Sequence, residues 1–219
     1  MGKTSILTKE QKIILACIGK SDYLRKNFYF TGGTALSEFY LHHRYSDDLD
    51  FFSEKKIDQE IIFGLMNRWS KQYHFSFSSR FVEVVYRFNI TFSAISFKVD
   101  FGFYPYKRVE KGIKYQNIEV DSLRDIATNK LITINQRTDI KDFVDLYFLL
   151  KKKYSIWDLL YGAKVKFQNL DIDILLLAQD FLKIDDFSSL PKMIKKVKLG
   201  QLKAFYHNLA KKVGVKVFE

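Results

Sequence analysis

Asp48 and Asp50 stand two positions apart in Asp48-Leu49-Asp50-Phe51-Phe52, alternating with apolar residues. Side chains alternate faces along a strand, so this spacing predicts both carboxylates on one side while Leu49 and Phe51 enter a core. Two carboxylates on one face repel unless a positive charge lies between them. A hard divalent cation, Mg²⁺ or Mn²⁺, meets that need, because it takes oxygen ligands and keeps positions open for substrate phosphates. Upstream, Phe28 to Thr31 read as a short buried strand, broken by Gly32-Gly33 where the backbone must turn tightly or approach a ligand closely. Leu36, Phe39, Tyr40 and His43 then recur at helical spacing, with Thr31 or Thr34 able to cap the first turn. Unpaired N–H groups at such a turn, beside a positive dipole end, suit a phosphate.

The order Gly32-Gly33, a helix-length spacer, then Asp48-x-Asp50 resembles the nucleotidyltransferase superfamily typified by DNA polymerase beta. More narrowly, Gly32-Gly33-Thr34-Ala35-Leu36-Ser37 followed by His43-Arg44-x-Ser46-x-Asp48-Leu49-Asp50-Phe51-Phe52 is similar to the AbiEii/AbiGii toxin family of bacterial nucleotidyltransferases. A second block, Ile126-Ala127-x-x-Lys130-Leu131 and then Arg137-x-x-x-Lys141-Asp142-x-x-Asp145-Leu146-Tyr147, resembles that family's second signature. The chain departs from the wider pattern in a slightly longer glycine-to-aspartate spacer and in Thr34 where serine is more general.

The resemblance implies an α+β fold, a polymerase-beta-like mixed sheet flanked by helices and followed by a C-terminal helical lobe. It implies metal-dependent transfer of a nucleoside monophosphate from an NTP to an acceptor hydroxyl. The tRNA 3′ end is the foremost acceptor, with a protein or small molecule as others, and a separate antitoxin protein restrains the toxin. Asp48, Asp50 and Asp100 become the metal ligands; Gly32, Gly33, Thr34, Ser37, Arg44, Lys130 and Arg137 become the nucleotide-binding set. The third catalytic carboxylate is Asp100, Asp142 or Asp145. Asp100 lies in Ile95–Phe101, where alternation predicts Phe97, Val99 and Phe101 inward and Lys98 and Asp100 on the opposite face; an exposed Lys98–Asp100 pair is the plainer reading. Lys130 is a mobile charge fit for a triphosphate, and Asp142 and Asp145, three apart on a helix, share a face that can orient Lys130 or Arg137. A surface ion-pair network is the alternative there. Arg44 either neutralises Asp47 or Asp48 or reaches a triphosphate. His42 and His43 read as packing or surface residues without a catalytic role. A catalytically silent scaffold that holds RNA or a protein partner is the rival to the whole reading.

The elements that must position these groups follow from pattern. Residues 8–26 predict an amphipathic helix; Asp58 caps a second one running through Gln72, with Ile61, Ile62, Leu65, Met66 and Trp69 on its buried face. Period-two stretches between Tyr73 and Asp121 predict strands, the last part (Lys107 to Val120) a hairpin. From Ser122 the chain turns helical, with Ser122 and Asp125 as a variant capping box. Helices are expected at Trp157–Phe167, Ile172–Leu182 and Leu190–Val213. The expected division lies near Asp121: a catalytic lobe of residues 1–121, and a helical lobe of residues 122–219 packed on it without a flexible linker.

The 219 residues suit one substantial domain or a catalytic domain with an appendage, and 47% hydrophobic and 16% aromatic content argue for a folded chain. Its net charge of +11 points to an acidic partner. Residues 151–219 hold 14 Lys plus Arg against 7 Asp plus Glu, while the first 150 hold 22 against 18, so the excess lies away from the acidic motif. RNA touched by the C-terminal third explains that asymmetry; solvated helix faces explain it equally. The single cysteine, Cys17, has no intramolecular partner, no secretory signal is evident, and the apolar runs are too short for a bilayer. Cytoplasmic residence without a membrane is the expectation.

Overall fold

The computed structural model describes residues 4–168 and 171–215. The chain divides into two compact units. The first comprises the described residues before Leu41 together with Ser46–Ser122; the second comprises Leu41–Tyr45 and the described residues from Leu123 onward.

The first unit is built on seven strands in one mixed sheet of order β3-β4-β5-β2-β1-β7-β6. The strands are β1 (Tyr29–Thr31), β2 (Leu49–Ser53), β3 (Ser76–Val82), β4 (Val85–Thr91), β5 (Ser96–Phe103), β6 (Lys114–Tyr115) and β7 (Ile118–Val120). Only β1–β7 and β2–β5 are parallel. The other pairs run antiparallel. Alternation in β5 comes out as expected, with Phe97, Val99 and Phe101 buried. Phe30, Phe51 and Phe101 stack across three neighbouring strands, with centroids 5.1 and 5.4 Å apart, and form the spine of this core. The hairpin turns at Gln116-Asn117, both at positive φ, as a two-residue turn requires.

The opening helical pattern is two helices, α1 (Lys9–Lys20) and α2 (Asp22–Asn27), because Ser21 leaves helical geometry and its hydroxyl caps the second. A capping box of Thr8 and Gln11 starts α1. The glycine turn opens α3 (Gly32–Ala35), which continues as π-helical turns over Leu36–Leu41. α4 (Gln59–Tyr73) starts at Asp58 as expected and buries Ile62, Met66 and Trp69. Ile61 is instead exposed, one position off the buried stripe.

The second unit holds α5 (Leu123–Gln136), α6 (Ile140–Lys152), α7 (Ile156–Lys166), α8 (Ile174–Leu182) and α9 (Leu199–Val215). The last helix begins well after the expected Leu190, because Lys192 to Lys195 are spent on a short pairing with Leu41–Tyr45. Arg44 and Met193 form a bridge there, and the Ile194 N–H and the Lys195 N–H both donate to the His43 carbonyl at 2.9 Å. Phe143, Phe181 and Tyr206 centre this core, and the buried Tyr206 hydroxyl donates to the Phe143 carbonyl at 2.6 Å. Asp125, in the first turn of α5, is buried, and its Oδ1 accepts from the Lys166 ammonium at 2.7 Å.

Candidate functional site

In the first unit, β2 and β5 lie side by side in parallel register, with Asp50 opposite Asp100 and Leu49 opposite Val99. Leu49 and Val99 are fully buried, so Asp48, Asp50, Lys98 and Asp100 share the other face. Asp48 and Asp50 are partly exposed there. β1 flanks β2 on its far side, with Thr31 opposite Asp50, so the glycine turn leaves the sheet next to the acidic pair.

Gly32 has φ +75° and lies so close to the Asp50 carboxylate that an added Cβ would sit 2.1 Å from Oδ2. Glycine is thus required twice, by its backbone and by its neighbour. Neither expected threonine caps the helix. Thr31 makes no side-chain cap bond, and its hydroxyl donates to Asp121 Oδ2 at 2.9 Å. The Thr34 hydroxyl donates to the Asp48 carbonyl at 2.5 Å, tying the glycine turn directly to the acidic strand. Gly33, Thr34 and Ser37 are buried.

Lys98 pairs with Asp48 at 3.4 Å rather than with Asp100, in an exposed contact of little energetic weight. Asp100 is instead held by Arg87 of β4, which donates from Nε at 2.9 Å to Oδ1 and from Nη2 at 2.6 Å to Oδ2. The Arg87 guanidinium is held above its ordinary value, foremost by that hydrogen bond, with the charges of Asp100, Asp48 and Asp50 adding to it. Arg87 therefore sits in the field of all three carboxylates. Sequence reasoning missed it; its alternation within β4 was visible, but its register against β5 was not.

The donor chemistry of this face fits a hard divalent cation, since Asp48 and Asp50 present oxygens on one accessible side. Among the described residues, no three His, Cys, Asp or Glu side chains form a group able to hold a metal ion. Water and substrate phosphates would have to complete any such shell, as they commonly do around Mg²⁺.

The second signature converges inside the second unit. Lys130 donates to Asp142 at 2.6 Å and lies 2.7 Å from Asp145. Arg137 donates to the other oxygen of Asp142 at 2.8 Å. Arg44 forks onto Asp145 through Nε at 2.6 Å and Nη2 at 2.8 Å. His43 Nε2 meets Asp145 Oδ1 at 2.7 Å. Asp142, Asp145, Arg44 and His43 are buried to 2% exposure or less, so this is an interior network, not a surface one. Arg44 serves Asp145 here, and His43, expected as a packing or surface residue without a catalytic role, is buried within the cluster. No local pattern reveals these two, because their partner is about a hundred positions away in the chain.

The electrostatics follow from that burial. Desolvation alone would raise Asp145, but Lys130, Arg44 and the hydrogen bonds from Arg44 and His43 outweigh it and hold the carboxyl well below the usual range. Asp142 is lowered in the same way by Lys130 and Arg137 against its own desolvation. Burial would lower Lys130, yet Asp145 and Asp142 raise it. Burial wins at His43, which is pushed below its ordinary value despite Asp145.

The family model described as the nucleotidyl transferase AbiEii toxin of type IV TA systems matches residues 14–203. An uncharacterized protein of Aquifex aeolicus (strain VF5) is 33% identical over 172 residues, covering 77% of this chain and 80% of that protein. JHP933 from Helicobacter pylori superposes with a TM-score of 0.56 at 20% identity, over 96% of this chain and 94% of the other. MenT4, a nucleotidyltransferase toxin from Mycobacterium tuberculosis H37Rv, does so with a TM-score of 0.55 at 12% identity, over 94% and 89%. These likenesses bear out the α+β nucleotidyltransferase fold expected from the motifs. No described helix is long and apolar enough to cross a membrane. With the family model spanning most of its length, the chain belongs to the AbiEii family of nucleotidyltransferase toxins of type IV toxin–antitoxin systems.

Proposed function

We propose that this toxin transfers a nucleoside monophosphate from an NTP to a hydroxyl at the 3′ end of tRNA, in a reaction that requires Mg²⁺ or Mn²⁺. The observation that carries the reading is the meeting of Gly32 with Asp50, on the sheet face that also presents Asp48 and Asp100. Asp48 and Asp50 would hold the cation, which when bound supplies charge neutralisation to the triphosphate. The first-turn amides of Gly33 and Thr34 face no helical partner and offer donors to phosphate oxygens. Thr34 fixes the distance between that turn and the acidic strand through its bond to the Asp48 carbonyl. In the transfer, the acceptor oxygen bonds to the α-phosphorus as the bond to the β-phosphate oxygen breaks and pyrophosphate leaves. Asp100 takes the acceptor's proton, and Arg87 keeps that carboxylate oriented for it. Positioning and charge supply most of the rate.

Lys130 is already held by two carboxylates. We therefore assign Lys130, Asp142, Asp145 and Arg137 to holding Arg44 and the Leu41–Tyr45 segment, in place of a charge on the departing pyrophosphate. The net positive charge of residues 151–219 supports a polyanionic acceptor. A cytoplasmic site of action and a cognate antitoxin protein complete the reading.

Purified protein incubated with each labelled NTP, Mg²⁺ and total RNA should incorporate label. Chelation by EDTA, Asp48→Ala and Asp50→Ala should each reduce it by about 100-fold or more. Incorporation that survives both substitutions sinks the assignment.

A further inference from the structure

The second unit carries a groove of about 960 Å³ whose walls come from the end of α6, the start of α7 and one face of α9. From α9, Gln201, Phe205, Asn208 and Lys212 line it, at a spacing that makes a single helical face. The other wall carries Tyr147 and the run Lys151-Lys152-Lys153. Phe205 is half-buried and meets Tyr147 edge-on with 5.0 Å between centroids. The Lys151 ammonium lies 5.4 Å from the centre of the Phe205 ring. No lining residue is acidic. None of Lys151, Lys152, Lys153 and Lys212 is in salt-bridge reach of a carboxylate among the described residues. Lysines at helix ends answer the negative end of the dipole, and these do so locally. That local role does not require four of them to converge on one groove, where an anion relieves their mutual repulsion.

We infer that this groove grips single-stranded RNA, with phosphates along the four lysines and a base against the Phe205 ring. The inference rests on the proposed RNA acceptor and adds where that RNA is held. Asn208 offers both a donor and an acceptor to base edges, and Gln201, whose Oε1 accepts from the Lys198 N–H at 2.9 Å, offers its amide N–H groups. An acidic protein segment would satisfy the lysines but leave the aromatic floor and the Asn208 amide without a planar polar partner. The combination of a cationic rim and an aromatic platform is what single-strand binding uses.

The test is fluorescence anisotropy of a labelled single-stranded RNA of about twelve nucleotides, titrated with the full chain at several salt concentrations. Replacing Lys151, Lys152 and Lys153 together with Gln should weaken binding about tenfold or more and lower the salt slope by about two. Phe205→Leu should weaken it by about tenfold with the slope unchanged. Thermal melts followed by circular dichroism establish that both variants fold. Affinity and slope unchanged in the lysine variant overturn the inference. So does a polyglutamate chain that displaces the RNA at equal charge while Phe205→Leu binds as the parent does, because the groove is then a general seat for acidic partners. Failure of the transfer reading looks different: Asp50→Ala would keep its transferase activity while the groove variants still lose RNA.

Discussion

The Asp145 carboxylate grips the Arg44 guanidinium in a two-pronged fork, at 2.6 and 2.8 Å, with both side chains sealed from solvent. Leu41–Tyr45 thereby belongs to the second unit, although the chain on either side of it belongs to the first. Removing one partner of such a pair leaves a buried charge without its counterpart. Asp145→Ala should therefore cost about 3–5 kcal/mol of unfolding free energy, measured by urea denaturation. Arg44→Met combined with Asp145→Leu should recover part of that loss, since Arg44 is then no longer stranded and Lys130 keeps Asp142 as its counter-ion. Strict additivity of the two single changes would show that the fork is not an energetic unit.

Gly32→Ala tests the contact on which the proposed transfer site depends. The new methyl would collide with Asp50 Oδ2, and φ of +75° disfavours any side chain. The backbone penalty is about 1–2 kcal/mol, visible as a lower denaturation midpoint. The displacement of Asp50 should depress transfer far more than that stability loss does, so a folded but nearly inactive protein is expected. An active Gly32→Ala protein would mean that the Asp50 position is not critical.

Much of this site was legible because period-two alternation is a local property. Leu49 and Phe51 inward, with Asp48 and Asp50 outward, follows from five consecutive residues, as does the buried face of β5. The glycine turn was legible for the same reason. What lay outside local pattern is pairing across the chain. Arg87 and Asp100 meet through strand register. His43 and Asp145 meet across some hundred residues of chain. The start of α9 was misplaced because Leu190 to Ile194 looks helical until the pairing of Met193 with Arg44 claims it. Thr31 and Thr34 resemble caps by type, but their hydroxyls go to Asp121 and Asp48.

Were the proposed cation to occupy the acidic face, Arg87 would compete with it. It neutralises Asp100 through two hydrogen bonds and feels Asp48 and Asp50 as well. Arg87→Gln should therefore strengthen Mn²⁺ binding, seen by calorimetry on the protein without nucleotide, by several-fold or more, about 1 kcal/mol or above. Asp100→Asn should leave Mn²⁺ binding weaker than in the parent. If Arg87→Gln weakens the metal instead, the guanidinium holds the ligands in place and does not oppose the ion.

Stability should fall on the acid side in two stages, with His43 responsible for the earlier one. Its value in the fold is lowered by burial, so the folded state resists the proton that the unfolded chain accepts near pH 6.5. Below that pH the unfolded state binds more protons, and stability should decline by up to about 1.4 kcal/mol per pH unit. Asp142 and Asp145 are depressed in the fold. Their contribution is therefore complete above the ordinary carboxylate value of about 3.9 and is lost as pH drops through their folded values. Lys130 is raised, so its share is complete below about 10.4 and fades only as pH rises past that. Urea midpoints measured from pH 8 to pH 3 should thus hold level to about 7, slope gently below 6.5 and fall steeply below about 4. In His43→Asn the gentle slope should disappear while the steep fall remains. A parent midpoint that does not move between pH 7 and pH 5 would mean that His43 takes up its proton inside the fold as readily as in the unfolded chain.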